Sequence, residues 1–252
     1  MRGTAAALSA AFLAVALGIY VTRPLSSGML LVFSDTLPIL AALFAGAATL
    51  YVAASFHAGD SHRRVWVLVG AGLFLWFLGE LSWALMEVAF RIKVPFPSIA
   101  DAFWLLGYVP IFLGLGSGFR RLDIRVRRVP FAVPLGILGT LAAVYLLVMF
   151  VPIIGSDIPL AEKLLDLAYP LGDWLILIPA VFTLFTLRHG VLAKPWLALV
   201  AGFLLMVVAD SLFSYMTFRG FYRTGSMIDL VWVAGYLVIA LASLQQAQYL
   251  KS

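Results

Sequence analysis

The chain has 252 residues, 63% of them hydrophobic and only 12% charged, with a mean hydropathy of +1.06. This composition excludes an ordinary soluble domain and points to an integral membrane protein. Cysteine is absent, which excludes a disulfide framework and any Cys-based zinc or redox centre; the net charge of +5 sits in short stretches between apolar runs and does not suggest nucleic acid.

In chain order, eight apolar segments reach the roughly 20 residues that a bilayer core requires: 5–22, 37–56, 65–90, 99–118, 129–153, 163–187, 196–217 and 228–247. The expected fold is all-α, a single transmembrane domain over 1–252 with eight spanning helices. Arg2 ahead of an apolar run containing Ala14 and Ala16 also fits a signal peptide. The segment is retained as a span because it completes the repeat described below.

Orientation follows from the Lys and Arg content of alternate loops. With the N-terminus inside, the cytoplasmic set is Arg2, Arg63, Arg64, Arg120, Arg121, Arg125, Arg127, Arg128, Arg188, Lys194 and Lys251, eleven in all. The outer set is Arg23, Arg91, Lys93, Lys163, Arg219 and Arg223, six in all. The excess predicts a multi-pass protein of the inner (cytoplasmic) membrane with both termini in the cytoplasm. The basic run "FRRLDIRVRR" (119–128) is the strongest anchor.

An ungapped pattern recurs in "DAFWLLGY" (101–108), "DLAYPLGD" (166–173) and "DLVWVAGY" (229–236), with a fainter copy in "DTLPILAA" from Asp35. The four aspartates are 66, 65 and 63 residues apart. Each period holds two spans, so four helical hairpins are expected, at about 5–56, 65–118, 129–187 and 196–247. All copies run in the same direction, so the inverted repeat of many secondary transporters is missing.

The stretches "GELSW" (79–83), "PFPSIADAFWLLGY" (95–108) and "ADSLFSYMTFRGFYRTGSMIDLVWVAGYL" (209–237) resemble the multi-spanning N-terminal membrane region found ahead of GGDEF-type diguanylate cyclase and histidine kinase domains in bacteria. The resemblance covers most of the chain from about Gly79 onward. It implies a sensory role, without naming a ligand. No GGDEF motif or kinase core follows "LQQAQYLKS" (244–252) within these residues, so a stand-alone relative or a fragment of a longer sensor is expected.

Seven acids lie inside the predicted spans: Glu80, Glu87, Asp101, Asp166, Asp173, Asp210 and Asp229. At a rise of about 1.5 Å per residue, all fall at the midplane or in the outer half. Ser98-x-x-Asp101 and Ser226-x-x-Asp229 have capping-box spacing. Asp101, Asp166 and Asp229 are therefore read as structural caps, with Asp35 at the same repeat position. Glu80, Asp173 and Asp210 fall roughly 10–16 Å from the outer helix ends. An unpaired charge there costs about 2.5–3.5 kcal/mol, so these side chains must face the bundle interior, protonate or meet a partner.

Acids and aromatics share helix faces. Trp76, Glu80, Trp83 and Glu87 follow one stripe, as do Asp166, Tyr169 and Asp173; Asp101, Trp104 and Tyr108; and Asp229, Trp232 and Tyr236. For Trp104 and Trp232 an interfacial aromatic belt is the competing reading. The other is an outward-opening cavity walled by carboxylates and rings, which suits a cationic or amine-bearing ligand. Arg219 and Arg223, in the last outer loop, are read as solvated rather than as rim partners of Asp229 or Glu87. The candidate ligand-binding residues are Glu80, Trp83, Glu87, Tyr108, Tyr169, Asp173, Asp210 and Tyr236.

No cofactor, metal or catalytic residue is assigned. His57, His62 and His189 fall in cytoplasmic loops, away from the acids. "PLGD" (170–173) faintly resembles the Gly-Asp element of intramembrane aspartyl proteases, with Asp210 as a mate for Asp173, but Pro170 replaces its further glycine. Pro110, Pro170 and Pro179 are expected to kink their helices.

The sequence thus leads to a membrane-embedded sensory or ligand-binding module that signals to a cytoplasmic partner. Its expected contacts are the lipid bilayer and a small cationic or amine ligand from the outer side, with no nucleic acid. A small transporter or channel for protons, cations or amines is the alternative, and an intramembrane enzyme stands third.

Overall fold

The structure is a computed structural model and describes residues 2–121, 132–187 and 190–250. Its helices are α1 (Arg2–Thr22), α2 (Ser27–Ala54), α3 (Ser61–Ala84), α4 (Ile99–Arg121), α5 (Ala132–Tyr145), α6 (Val151–Ile154), α7 (Leu160–Leu187), α8 (Ala193–Phe218) and α9 (Asp229–Tyr249). Much of the anchor run 119–128, together with Arg188, His189 and Lys251, lies outside the described residues.

Seven helices, 20 to 28 residues long, are long and apolar enough to cross a membrane. The expected span 129–153 differs from the rest. Its described part is a 14-residue helix, α5, then a π-helical turn at Leu146–Phe150 and the short α6. Pro152 lacks the N–H that would continue the preceding hydrogen-bond ladder. A π turn that changes register just before it fits that loss.

The largest boundary difference is in α2, which starts ten residues before the expected Leu37. Ser26 caps it, its side-chain oxygen accepting from the Met29 amide at 3.4 Å. With this start Pro38 lies well inside α2. That shift carries Asp35 into a membrane-crossing helix. At the start of α3, Asp60 Oδ1 accepts from the His62 amide at 2.7 Å. This bond, with the His62 ring nearby, holds the Asp60 carboxyl below the usual aspartate range.

Six helices close into a ring. α2 packs on α3, α3 on α4, α4 on α7, α7 on α8, α8 on α9, and α9 returns to α2. α1 lies outside against α9, and α5 and α6 lie outside against α7. Small residues set the closest approaches. A Cβ added at Gly72 of α3 would stand 2.5 Å from the Gly107 carbonyl oxygen of α4, and one at Gly202 of α8 would stand 3.1 Å from the Gly235 carbonyl oxygen of α9. Both pairs of helices therefore meet backbone to backbone.

Candidate functional site

The polar side chains inside the ring bond to one another across helices. Tyr236 of α9 donates its hydroxyl to Glu80 of α3 at 2.8 Å. Reciprocally, Tyr108 of α4 has its hydroxyl oxygen 3.1 Å from Asp210 of α8 and 2.8 Å from Asp173 of α7. The Trp232 indole N–H donates to the other oxygen of Asp210 at 2.7 Å. A tyrosine from each close-packed pair thus reaches an acid of the other pair.

Nearer the end formed by the loops 90–98 and 219–228, a second tier of bonds holds the rim. Tyr169 donates to Asp101 Oδ1 at 2.6 Å, while Oδ2 accepts from the Ser98 amide and hydroxyl at 2.6 and 2.7 Å. Glu87, on the π turn Leu85–Ala89 that follows α3, accepts from the Trp83 indole at 2.9 Å and the Thr224 hydroxyl at 2.7 Å. Asp229 accepts from Tyr222 at 3.1 Å and from the Gly225 amide at 2.7 Å; Gly225 has φ +88, a backbone conformation that suits glycine.

Between these tiers lies a cavity of about 80 Å³, room for several waters or a compact ligand. Its acids are Asp35, Glu80, Asp210 and Asp229, and its rings are Trp76, Trp83, Trp104, Tyr108, Tyr169, Phe213, Tyr222, Trp232 and Tyr236. Ser34, Pro38, Met206, Ser214 and Thr224 complete the wall. Among the described residues it carries no Lys, Arg or His. Among the described residues no Lys or Arg forms an ion pair with any of these acids. No group of three or more Asp, Glu or His among the described residues converges as metal ligands do.

Six of the eight candidate ligand residues, Glu80, Trp83, Tyr108, Tyr169, Asp210 and Tyr236, line this cavity. Glu87 and Asp173 do not. Glu87 ties Trp83 to Thr224, and Asp173, 1% exposed, lies behind Tyr108. The caps divide three ways. Asp101 accepts from the Ser98 amide, the acid's half of the capping box that its spacing predicts. Asp166 is not a cap, because α7 begins at Leu160 and places it in the second turn. Asp229 sits at the start of α9, but Ser226 bonds back to the Arg223 carbonyl instead of completing a box, and Asp229 faces the cavity.

Sequence reasoning missed Asp35, Phe213, Tyr222 and Thr224 as wall residues. For Asp35 the signal was its place in the four-fold aspartate spacing. Phe213 follows Met206 and Asp210 at helical spacing on α8, a stripe present in the sequence; Tyr222 and Thr224 are placed by the fold of the loop 219–228, for which no periodic signal exists.

Fold and site together define a multi-span α-helical membrane protein with a buried acidic–aromatic network around a central cavity. No protein-family description, curated protein or solved structure matches the chain.

Proposed function

We propose that the chain is a membrane-embedded sensory module that binds a small cationic or amine ligand in its acidic–aromatic cavity and passes the change in helix packing to a cytoplasmic partner. The carrying observation is the make-up of the wall: four carboxyl groups, nine aromatic rings and, among the described residues, no basic side chain. Uncompensated carboxylates in a membrane interior are costly. A cation there gains both ion pairing and contact with ring faces.

In this reading the cavity opens to the outer side of the inner membrane, and both termini are cytoplasmic. The expected segment 129–153 is taken as an eighth span, giving four hairpins that descend from one repeated unit. The reciprocal tyrosine–acid bonds and the matching Gly72–Gly107 and Gly202–Gly235 approaches support such a duplication. The resemblance to membrane regions that precede cyclase and kinase domains supports sensing over transport. The aspartyl-protease reading is weakened by Tyr108, whose hydroxyl bridges Asp173 and Asp210 where a dyad would hold its attacking water.

The test combines a thermal-shift panel of small organic cations on the purified protein with ion and amine flux in proteoliposomes. Saturable stabilisation without flux is expected. Cation flux abolished by Glu80→Gln and Asp173→Asn would replace the sensor by a transporter, and a lipid product requiring both Asp173 and Asp210 would replace it by an enzyme.

A further inference from the structure

Among the acids that line the cavity, Asp35 stands apart. Glu80, Asp210 and Asp229 each accept at least one hydrogen bond from the protein. Asp35 is 5% exposed, and its Oδ2 has no partner. A buried carboxylate oxygen without a donor is costly and rare, and calls for a group that the protein itself does not supply. Glu87, Asp229 and Glu80 are close enough to act on it electrostatically, so its surroundings are acidic as well as apolar.

A second acceptor lies one residue away. Pro38 has no N–H, so the helical bond that would normally reach the Ser34 carbonyl cannot form. Ser34, Asp35 and Pro38 all line the cavity. The aligned repeat explains why the space is there: Asp35-x-x-Pro38 corresponds to Asp166-x-x-Tyr169, and Tyr169 spends its hydroxyl on Asp101. Where Pro38 stands in place of that tyrosine, the long ring and its donor are missing.

Resting on the reading of the cavity as a cation site, we propose that its ligand is a compact protonated primary or secondary amine, whose N–H groups bond Asp35 and the adjacent Ser34 carbonyl. A quaternary ammonium has the charge but no N–H, and would leave both acceptors unsatisfied. A bare metal ion needs several converging oxygens, whereas the neighbouring acids are already bonded within the protein. The alkyl part of the amine lies against the surrounding rings, four of which are the indoles of Trp76, Trp83, Trp104 and Trp232.

Those indoles make intrinsic fluorescence the readout. The full chain in nanodiscs is titrated with n-propylammonium, tetramethylammonium and sodium chloride at matched ionic strength. Propylammonium is expected to give a saturable change at lower concentration than either comparator. Asp35→Asn, which removes no internal hydrogen bond, is expected to weaken it roughly ten- to a hundredfold with an unfolding midpoint that is unchanged or raised; Asp35→Ser, smaller than the native side chain, checks that shape is not responsible. Binding of propylammonium that survives both substitutions, or tetramethylammonium binding as tightly, overturns the Asp35 assignment. If Glu80→Gln still abolishes that binding, the cation-site reading survives. No saturable response to any of the three cations overturns both.

Discussion

Tyr236 on α9 donates its hydroxyl to Glu80 on α3 at 2.8 Å, joining residues 156 positions apart. Tyr108 on α4 makes the matching connection toward Asp210 on α8, and adds Asp173 on α7. Five ring helices are therefore tied by two phenols. Tyr236→Phe is expected to cost about 1–2 kcal/mol, the usual penalty for stranding a partly buried acceptor. Tyr108→Phe should cost more, since Asp173 is 1% exposed and Tyr108 is its donor. Denaturant-induced unfolding in mixed micelles measures both. A double-mutant cycle of Tyr236→Phe with Glu80→Gln should return a coupling of about 0.5–3 kcal/mol.

Gly72 and Gly202 mark where helix backbones touch. An alanine Cβ at Gly72 would fall 2.5 Å from a backbone oxygen of α4, which cannot rotate away. Gly72→Ala should therefore cost about 1–3 kcal/mol through forced separation of α3 and α4. Gly202→Ala meets the Ile239 side chain at 2.5 Å and a backbone oxygen at 3.1 Å, so a smaller loss is expected. Gly116→Ala, with nothing within 4 Å of the added atom, should be neutral or gain up to about 1 kcal/mol from helix propensity. Equal effects at all three positions in thermal unfolding would refute the close-approach assignment.

Thr224 fastens the loop 219–228 to the end of α3 through Glu87. Thr224→Val keeps the shape and removes the donor. The rim should open more often, speeding both entry and release of a cavity ligand several-fold with little change in affinity. Stopped-flow tryptophan fluorescence with propylammonium separates the two rates. A change confined to the release rate, with affinity falling in proportion, would make Thr224 a ligand contact rather than a clasp.

Asp60 provides a pH test away from the membrane interior. Its carboxyl is held below the usual aspartate range by the His62 amide bond. A depressed carboxylate stabilises the fold above its unfolded value near 3.9, and that contribution is lost as pH falls through the lower folded value. Carbon-detected NMR should show Asp60 titrating below ordinary aspartate. Asp60→Asn should remove the corresponding acid-side loss of order in the first turn of α3.

Much of the architecture was legible in order and type. Span composition placed seven helices within a few residues at most ends, because a bilayer demands long apolar runs and little else in the chain meets that demand. The acid–aromatic stripes were legible too: Trp76, Glu80 and Trp83 recur at helical spacing, and all three line the cavity. The start of α2 was not legible. Pro38 lies near the start of the apolar run, whereas α2 continues through it, packed between α3 and α9.

By itself the sequence determined a hydrophobic helical protein whose acids had to turn inward, since hydrocarbon tolerates neither free backbone groups nor unpaired carboxylates. Which acids meet which donors was decided by the ring of α2, α3, α4, α7, α8 and α9. Helical periodicity tells which residues share a face, but not which faces oppose one another. That choice is made by close approaches such as Gly72 against Gly107, and it is what left Oδ2 of Asp35, at the cavity wall, without a donor.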